Sequence, residues 1–140
     1  MPLQVIKLQL HMILRGVASC HLAKVAHCDI KPDNVLLGYD LVPRRCDFGF
    51  AHIGDAMSSG PNGGTTSYMS PERLVPRHPS AKINMHQADS WSLGVLLYQV
   101  IYKRLPFDRS ITWTEVKSLP EIDFGLPACY RLSPEGREGH

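Results

Sequence analysis

The sequence predicts an α+β fold that is mainly helical and carries one small β-hairpin. Two segments repeat apolar residues at the spacing of an α-helix, one within Leu3–Val17 and one within Asp89–Ile101. Between them, the short apolar run Val35–Leu37 ends in turn-forming residues, and another short segment ends near Cys46, which is typical of a hairpin. The 140 residues, 44% of them hydrophobic, suffice for one core, so we expect a single domain over residues 1–140.

The first predicted helix carries its apolar side chains on one face. Pro2 suits the first turn, where proline has no hydrogen bond to lose. The apolar residues recur at steps of three and four along the chain: Leu3, Ile6, Leu10, Ile13 and Val17. We therefore expect an amphipathic helix that packs this face against the core.

The region after this helix is predicted to contain the hairpin and then a long loop. The hairpin turns at Gly38–Asp40 and ends near Cys46. From Gly49 to Ser70 the chain is rich in Gly, Ser, Thr, Pro and Asn, which favours irregular structure. A compact domain normally keeps a loop of this length for function. The segment Gly49–Ser70 is therefore expected to be irregular, mobile and functional.

The second long helix is predicted to begin with Asp89 as its cap and to stop at Pro106. Apolar side chains between Trp91 and Ile101 cover most of its circumference, so it is expected to be central and buried. Two shorter helices are expected later in the chain. One begins at the capping-box spacing of Thr112–Glu115, and one begins at Ser133–Glu135.

Charge and hydropathy exclude several classes of function. The net charge is only +2, and the nearest thing to a basic run is Arg44–Arg45, so no nucleic-acid partner is expected. The longest apolar run, Leu93–Tyr102, is too short to span a bilayer, and no secretory signal is present. We therefore expect no membrane partner and a cytoplasmic or nuclear location. The four cysteines could form two disulfides, but without a C-x-x-C pair a reducing compartment fits better.

The segment His27–Asn34, with the sequence HCDIKPDN, carries the strongest chemical signal. It resembles the catalytic loop of the protein kinases, H-R-D-x-K-x-x-N, with Cys28 in place of the arginine. Four of the five fixed letters match at this spacing, which happens by chance at roughly 10⁻⁵ per position. The match therefore points to the protein kinase family.

The resemblance implies a role for each polar residue of this loop. Phosphoryl transfer needs a carboxylate that accepts the proton of the attacking hydroxyl, a cation beside the phosphate and an oxygen ligand for Mg²⁺. In this sequence the matching positions are Asp29, Lys31 and Asn34. By the same resemblance, Lys31 also contacts the nucleotide, and Asp33 and Leu36 line the ribose and adenine side of ATP.

Two further motifs follow in the order that the family has. Asp47–Gly49 matches D-F-G directly after the predicted hairpin, which implies that Asp47 binds Mg²⁺ at the phosphates together with Asn34. Asp89–Gly94 resembles the start of the family's central helix, D-x-W-S-x-G. That match implies a structural role for Asp89, whose carboxylate would bind backbone amides of the catalytic loop.

A fourth motif, Gly64–Glu72, resembles the end of a kinase activation segment, G-T-x-x-Y-M-A-P-E, with Ser70 in place of alanine. The resemblance implies that Thr65 completes the catalytic group by hydrogen-bonding near Asp29 and Lys31. This threonine, and the lysine in the catalytic loop, are features of the serine/threonine kinases.

The chain departs from the family at two positions that concern regulation. Cys28 replaces the arginine that usually gathers a phosphorylated activation segment. Pro61 stands four residues before Thr65, where the main activating phosphosite of the family often falls. We therefore predict activation that does not depend on phosphorylation at that position.

The resemblance implies a protein serine/threonine kinase that uses Mg²⁺ and ATP to phosphorylate serine or threonine hydroxyls of a protein substrate. Residues 1–140 contain no glycine-rich phosphate loop and no V-A-I-K lysine, so we expect a partial domain: the helical C-terminal lobe, from the helix before the catalytic loop to the start of a truncated late helix, without the N-terminal lobe. The isolated chain is then expected to be inactive. The alternative is a non-catalytic truncated or pseudokinase-like binding fragment.

The subfamily and the assembly state are less constrained by the sequence. Two local matches, at His27–Asp29 and Cys46–Ala51, resemble the calcium/calmodulin-dependent kinases and protein kinase D in particular. The oligomeric state and the substrate preference stay open.

Overall fold

The computed structural model describes residues 2–37, 42–61, 63–74, 78 and 80–107. Within them lie three helices, six short strands and two single 3₁₀ turns. The helices are α1 (Leu3–Leu22), α2 (Pro71–Leu74) and α3 (Met85–Tyr102), and the 3₁₀ turns are Pro32–Asn34 and Thr66–Tyr68. The strands are β1 (Val25–Ala26), β2 (Val35–Leu37), β3 (Pro43–Arg45), β4 (His52–Ile53), β5 (Met57–Ser58) and β6 (Ile83–Asn84). This mixture of helix and strand confirms the α+β prediction.

The strands form three small antiparallel sheets in the part of the chain that is described. The predicted hairpin is confirmed as β2 and β3, with Val35 opposite Arg45 and Leu37 opposite Pro43. The other two sheets join β1 to β4 and β5 to β6. Both of them tie the segment between Gly49 and Ser70 to the helical part of the chain.

Helix α1 confirms the amphipathic pattern read from the sequence. Ile13 and Val17, which belong to the predicted apolar face, are buried, whereas Lys7 and Arg15 on the other faces are exposed. Pro2 caps the helix instead of lying in its first turn, and its carbonyl accepts hydrogen bonds from two amides of that turn. The proline still suits this place, because the missing amide hydrogen is not needed there.

Helix α3 begins one turn earlier than predicted. Its cap is Asn84, whose side chain accepts a hydrogen bond from the Gln87 amide at 3.0 Å, so the prediction of Asp89 as the cap is wrong. Asp89 lies inside the helix and is 1% exposed. The helix ends at Tyr102, before Pro106, because Lys103 adopts a left-handed conformation that closes the last turn.

The prediction that α3 is central and buried is correct for part of its surface only. Val95 and Leu96 are 4% and 2% exposed, but Leu97 is 40% exposed. Among the described residues, α3 contacts α1, β1 and the Thr66–Tyr68 turn. Leu97 borders an open groove between α1 and α3 that is lined largely by leucines.

Two apolar clusters form the core. The first joins Val17, Ile30 and Leu96, and the second joins Ala26, Cys28 and Met85. Ile30 and Cys28 belong to the loop 27–34, so this loop runs through the core between α1 and α3 with its apolar side chains facing inward. Burial of such side chains contributes roughly 1.5–3 kcal/mol each. The loop is consequently held in place by packing at Cys28 and Ile30.

Several sequence predictions fall outside the described residues. They are the turn of the hairpin at Gly38–Asp40 and the two later helices at Thr112–Glu115 and Ser133–Glu135. In the part of the chain that is described, no helix has both the length and the hydropathy of a membrane-spanning segment.

Candidate active site

Asp89 anchors the backbone of the loop 27–34 from inside helix α3. Its carboxylate accepts hydrogen bonds from the amides of His27 and Cys28, each at 2.8 Å. It also lies 2.8 Å from Nε2 of His21 on α1. The implied role of Asp89 as an acceptor for loop amides is thereby confirmed. Because Cys28 has a φ of 65°, which is costly for a residue with a side chain, these bonds hold a strained backbone in place.

Asp29, Lys31, Asn34 and Thr65 come together at the end of this loop. The Thr65 amide donates a hydrogen bond to Oδ1 of Asp29 at 3.0 Å. The Asn34 side-chain amide donates to Oδ2 of Asp29 at 3.1 Å and to its carbonyl oxygen at 2.8 Å. Nζ of Lys31 lies 3.7 Å from Oδ2 of Asp29 and donates to Oγ1 of Thr65 at 2.7 Å. Four of the residues named from the sequence therefore form one network.

The environment of Asp29 favours its ionised form. The residue is 6% exposed, and burial by itself would raise the pKa of its carboxyl. The backbone and side chain of Thr65, the Lys31 ammonium and the Asn34 amide outweigh burial and hold that pKa below its ordinary value. Asp29 is therefore a carboxylate at neutral pH, able to accept a hydrogen bond from a hydroxyl that approaches it.

Asp47 and Asn34 lie at the same end of the β2–β3 hairpin. The Cys46 amide donates to the Asn34 carbonyl at 3.0 Å. Asp47 therefore follows directly after a hydrogen bond that joins the two sides of the hairpin. Asp47 is exposed and has a φ of 59°, and its Oδ1 accepts the Gly49 amide at 3.1 Å. A Cβ at position 49 would lie 3.0 Å from that oxygen, which accounts for the glycine. Phe48 between them packs on the His27 ring at 4.8 Å.

The donor atoms at this end of the hairpin fit a magnesium ion. The Asn34 side-chain nitrogen is engaged with Asp29, which leaves its amide oxygen as the available ligand. Asp47 adds a carboxylate, and both are the hard oxygen donors that Mg²⁺ prefers. Among the described residues, no group of three or more His, Cys, Asp or Glu side chains could hold a metal ion.

The remaining two predicted nucleotide residues are less well placed by the structure. Asp33 is exposed on the Pro32–Asn34 turn, next to Asn34. The backbone of Leu36 lies in β2 opposite Arg44, and its side chain lies outside the described part of the structure. The assignment of Asp33 and Leu36 to the ribose and adenine side of ATP stays a prediction.

Cys28 contributes a neutral side chain to the site. Its thiol is buried, and burial, followed by the charge of Asp89, raises its pKa to about 11. The position at which related sequences carry an arginine therefore holds no charge here. Cys20 and Cys46, like Cys28, are thiols, and Cys129 lies outside the described residues.

Two residues that the sequence did not single out also belong to the site. His21 meets the Asp89 carboxylate, and Arg73 on α2 donates from Nη1 to the Cys28 carbonyl at 2.7 Å. The sequence carries no signal for either contact, because neither residue stands at a fixed letter of the four motifs and each partner lies far away along the chain.

Comparison with known proteins identifies the family. The protein kinase domain family matches residues 1–136. The chain is 32% identical to the serine/threonine-protein kinase ULK3 of Xenopus laevis, with 99% of this chain and 29% of that protein covered. It is 32% identical to the serine/threonine-protein kinase SAPK9 of Oryza sativa (90% and 36% covered) and 40% identical to the carbon catabolite-derepressing protein kinase of Candida glabrata (87% and 19% covered).

The chain spans about a third or less of the length of these curated relatives. None of the three has a name that indicates a calcium/calmodulin-dependent or protein kinase D-like enzyme, so that subfamily assignment stays a prediction. The fold, the four motifs and the relatives agree on the rest. The chain belongs to the eukaryotic serine/threonine protein kinase family and forms part of its catalytic domain.

Proposed function

We propose that this chain supplies the phosphoryl-acceptor side of a kinase active site, which transfers the γ-phosphoryl of ATP to serine or threonine hydroxyls of a protein substrate. The observation that carries the proposal is the network of Asp29, Lys31, Asn34 and Thr65, in which a buried carboxylate, a cation and an amide meet within hydrogen-bond distance. This combination matches what phosphoryl transfer requires of a protein.

In this proposal Asp29 orients the substrate hydroxyl and accepts its proton. Its lowered pKa keeps it ionised, and its bonds to Thr65 and Asn34 fix the plane of the carboxylate. Positioning of this kind contributes more to such reactions than covalent chemistry by the protein does.

Lys31 provides the positive charge beside the phosphoryl group in transfer. Its Nζ is held between Thr65 Oγ1 and the Asp29 carboxylate, so the charge is placed before substrate arrives and costs no rearrangement during reaction. Thr65 thereby supports both catalytic groups, through its amide on one side and its hydroxyl on the other.

Asn34 and Asp47 would hold Mg²⁺, which when bound neutralises charge on the phosphates of ATP. We also propose that Asp33 and Leu36 border the ribose and adenine, as the resemblance implies.

The 140 residues lack the glycine-rich loop and strand lysine that complete a nucleotide site, so we infer that the isolated chain transfers no phosphate. A cytoplasmic or nuclear site of action fits the thiol state of Cys28 and Cys46.

The proposal can be tested by grafting. Residues 1–136 would replace the matching segment of the ULK3 kinase of Xenopus laevis, and transfer from radiolabelled ATP to a protein substrate would be measured alongside the isolated chain. We expect transfer by the graft only, and a loss of about 10² to 10⁴-fold in kcat for Asp29→Asn, the usual contribution of a general base. Asp55→Asn, which changes an exposed carboxylate, serves as the control.

Two results would contradict the proposal. One is a graft that transfers phosphate equally well with Asp29→Asn. The other is a folded graft that binds ATP but transfers no phosphate, which would favour the non-catalytic binding fragment.

Because the pKa of Asp29 is lowered, its protonation should not affect the rate of transfer between about pH 5 and pH 8.

A further inference from the structure

Arg73 joins two segments of the site that are distant in sequence. Its Nη1 donates to the Cys28 carbonyl at 2.7 Å, and its Nη2 donates to the Gly63 carbonyl at 2.9 Å. The planar guanidinium presents its N–H groups as a fork, so both carbonyls are bound at the same time. The first belongs to the catalytic loop and the second to the segment that ends in the G-T-x-x-Y-M motif.

The two carbonyls flank the contact between Asp29 and Thr65. Cys28 directly precedes Asp29, and Gly63 lies two residues before Thr65, whose amide binds the Asp29 carboxylate. The chain therefore closes a small ring, in which one link is the Thr65–Asp29 hydrogen bond and the opposite link is the guanidinium of Arg73.

Close approach of the two segments is built into the backbone. Gly64 has a φ of 115°, and a Cβ there would lie 3.3 Å from the Cys28 carbonyl oxygen. Gly63 has a φ of 127°. Residues with side chains avoid such φ values, so the pair of glycines permits the segment to reach the loop and expose a carbonyl to Arg73.

Cys28 supplies no charge to the contact that Arg73 makes. Cys28, at the loop position next to Asp29, is buried and neutral, so its side chain offers no cation for the activation segment. Arg73 brings a cation from α2 instead, and its acceptors are backbone carbonyls, which are present whether or not the segment is phosphorylated.

From these contacts we infer that Arg73 is a positioning residue: it holds the segment Gly63–Thr65 against the catalytic loop without a phosphate, and it thereby places Thr65 on Asp29. The inference rests on the proposed function for its catalytic meaning. Its physical content, that Arg73 sets the geometry around Asp29, is independent of whether the chain transfers phosphate.

The test measures that geometry directly on the 140-residue chain. Arg73→Gln removes the charge and one donor arm, and Arg73→Lys keeps the charge but loses the fork. Arg15→Gln, which changes an exposed arginine on α1, is the matched control. The readout is hydrogen exchange at the Thr65 amide, with the amides of Val95 and Leu96 in α3 reporting global unfolding.

In Arg73→Gln we expect Thr65 exchange to accelerate roughly tenfold or more, the factor that corresponds to one hydrogen bond to a charged group. Arg73→Lys should give an intermediate change, and Arg15→Gln none, with the α3 amides unaffected throughout.

Either of two outcomes would overturn the inference. The first is an unchanged Thr65 exchange rate in both Arg73 variants. The second is a loss of protection at Thr65 and α3 together, even in Arg73→Lys, which would show that Arg73 stabilises the whole fold instead of positioning one segment. Hydrogen exchange does not depend on phosphoryl transfer, so failure here is distinguishable from failure of the grafting experiment.

Discussion

Replacement of Asp89 by asparagine should reduce the free energy of unfolding by about 3–5 kcal/mol. Oδ1 of Asp89 accepts the Cys28 amide, and Oδ2 accepts the His27 amide and lies 2.8 Å from His21. Asparagine has one oxygen, so its NH₂ group must face at least one of these donors. The loss of one charge-assisted bond costs about 1.5–3 kcal/mol, and a buried amide left without an acceptor costs about 1–3 kcal/mol more.

This change is large against the total stability of a small domain, about 5–15 kcal/mol. The assay is urea unfolding followed by circular dichroism, with Asp55→Asn as a matched control because that carboxylate is exposed. The control should stay within about 0.5 kcal/mol of the parent chain. A loss below about 1 kcal/mol for Asp89→Asn would refute the reasoning, since it would mean that the loop amides find other acceptors at little cost.

Two further predictions concern pH and backbone sterics. Burial, and then the neighbouring His21 ring at 4.1 Å, lowers the pKa of His86, whose Nε2 is buried without a hydrogen-bond partner among the described residues. The unfolded chain then binds more protons than the folded chain, so the free energy of unfolding should fall as pH drops below about 6.5. His86→Gln should make this fall smaller, as measured by urea midpoints at neutral and mildly acidic pH. An equal fall in the parent chain and in the variant would contradict this prediction. At Gly60, which has a φ of 71°, a Cβ would lie 2.7 Å from the buried sulfur of Met85, so Gly60→Ala should cost about 1–3 kcal/mol in thermal unfolding. Gly54 also has a positive φ, but a Cβ there would meet open space, so Gly54→Ala is the control. An equal loss of stability in Gly54→Ala would show that the contact with Met85 contributes nothing.

Local patterns predicted the helices and the hairpin well. The spacing of apolar residues placed α1, and the short apolar run placed β2, because both signals depend only on neighbours along the chain. The start of α3 was predicted wrongly because neighbours along the chain do not decide which residue caps the helix. Asn84 and Asp89 are both good caps, and the choice between them depends on what else each side chain contacts.

In the structure, Asp89 does not cap the helix because its carboxylate binds the amides of His27 and Cys28 in the loop 27–34. The same reasoning applies to Arg73 and His21. Their partners lie far away along the chain, and residue type alone does not say which distant carbonyl or carboxylate a side chain meets. The pattern of α3 did not say which of its residues stays exposed, and the structure shows that Leu97 does, since apolar periodicity reports what a helix can bury and not what packs against it.

The sequence by itself determined the family, the order of the four motifs and the identity of Asp29, Lys31, Asn34, Asp47 and Thr65 as candidates. Phosphoryl transfer requires particular side chains at short spacings, and such spacings are readable without a fold. Only the tertiary structure decided how those residues meet: Thr65 reaches Asp29 across 36 positions and Asp89 reaches His27 across 62. Contacts over such separations form only when the core closes, because the entropy of joining distant segments has to be offset by packing between them.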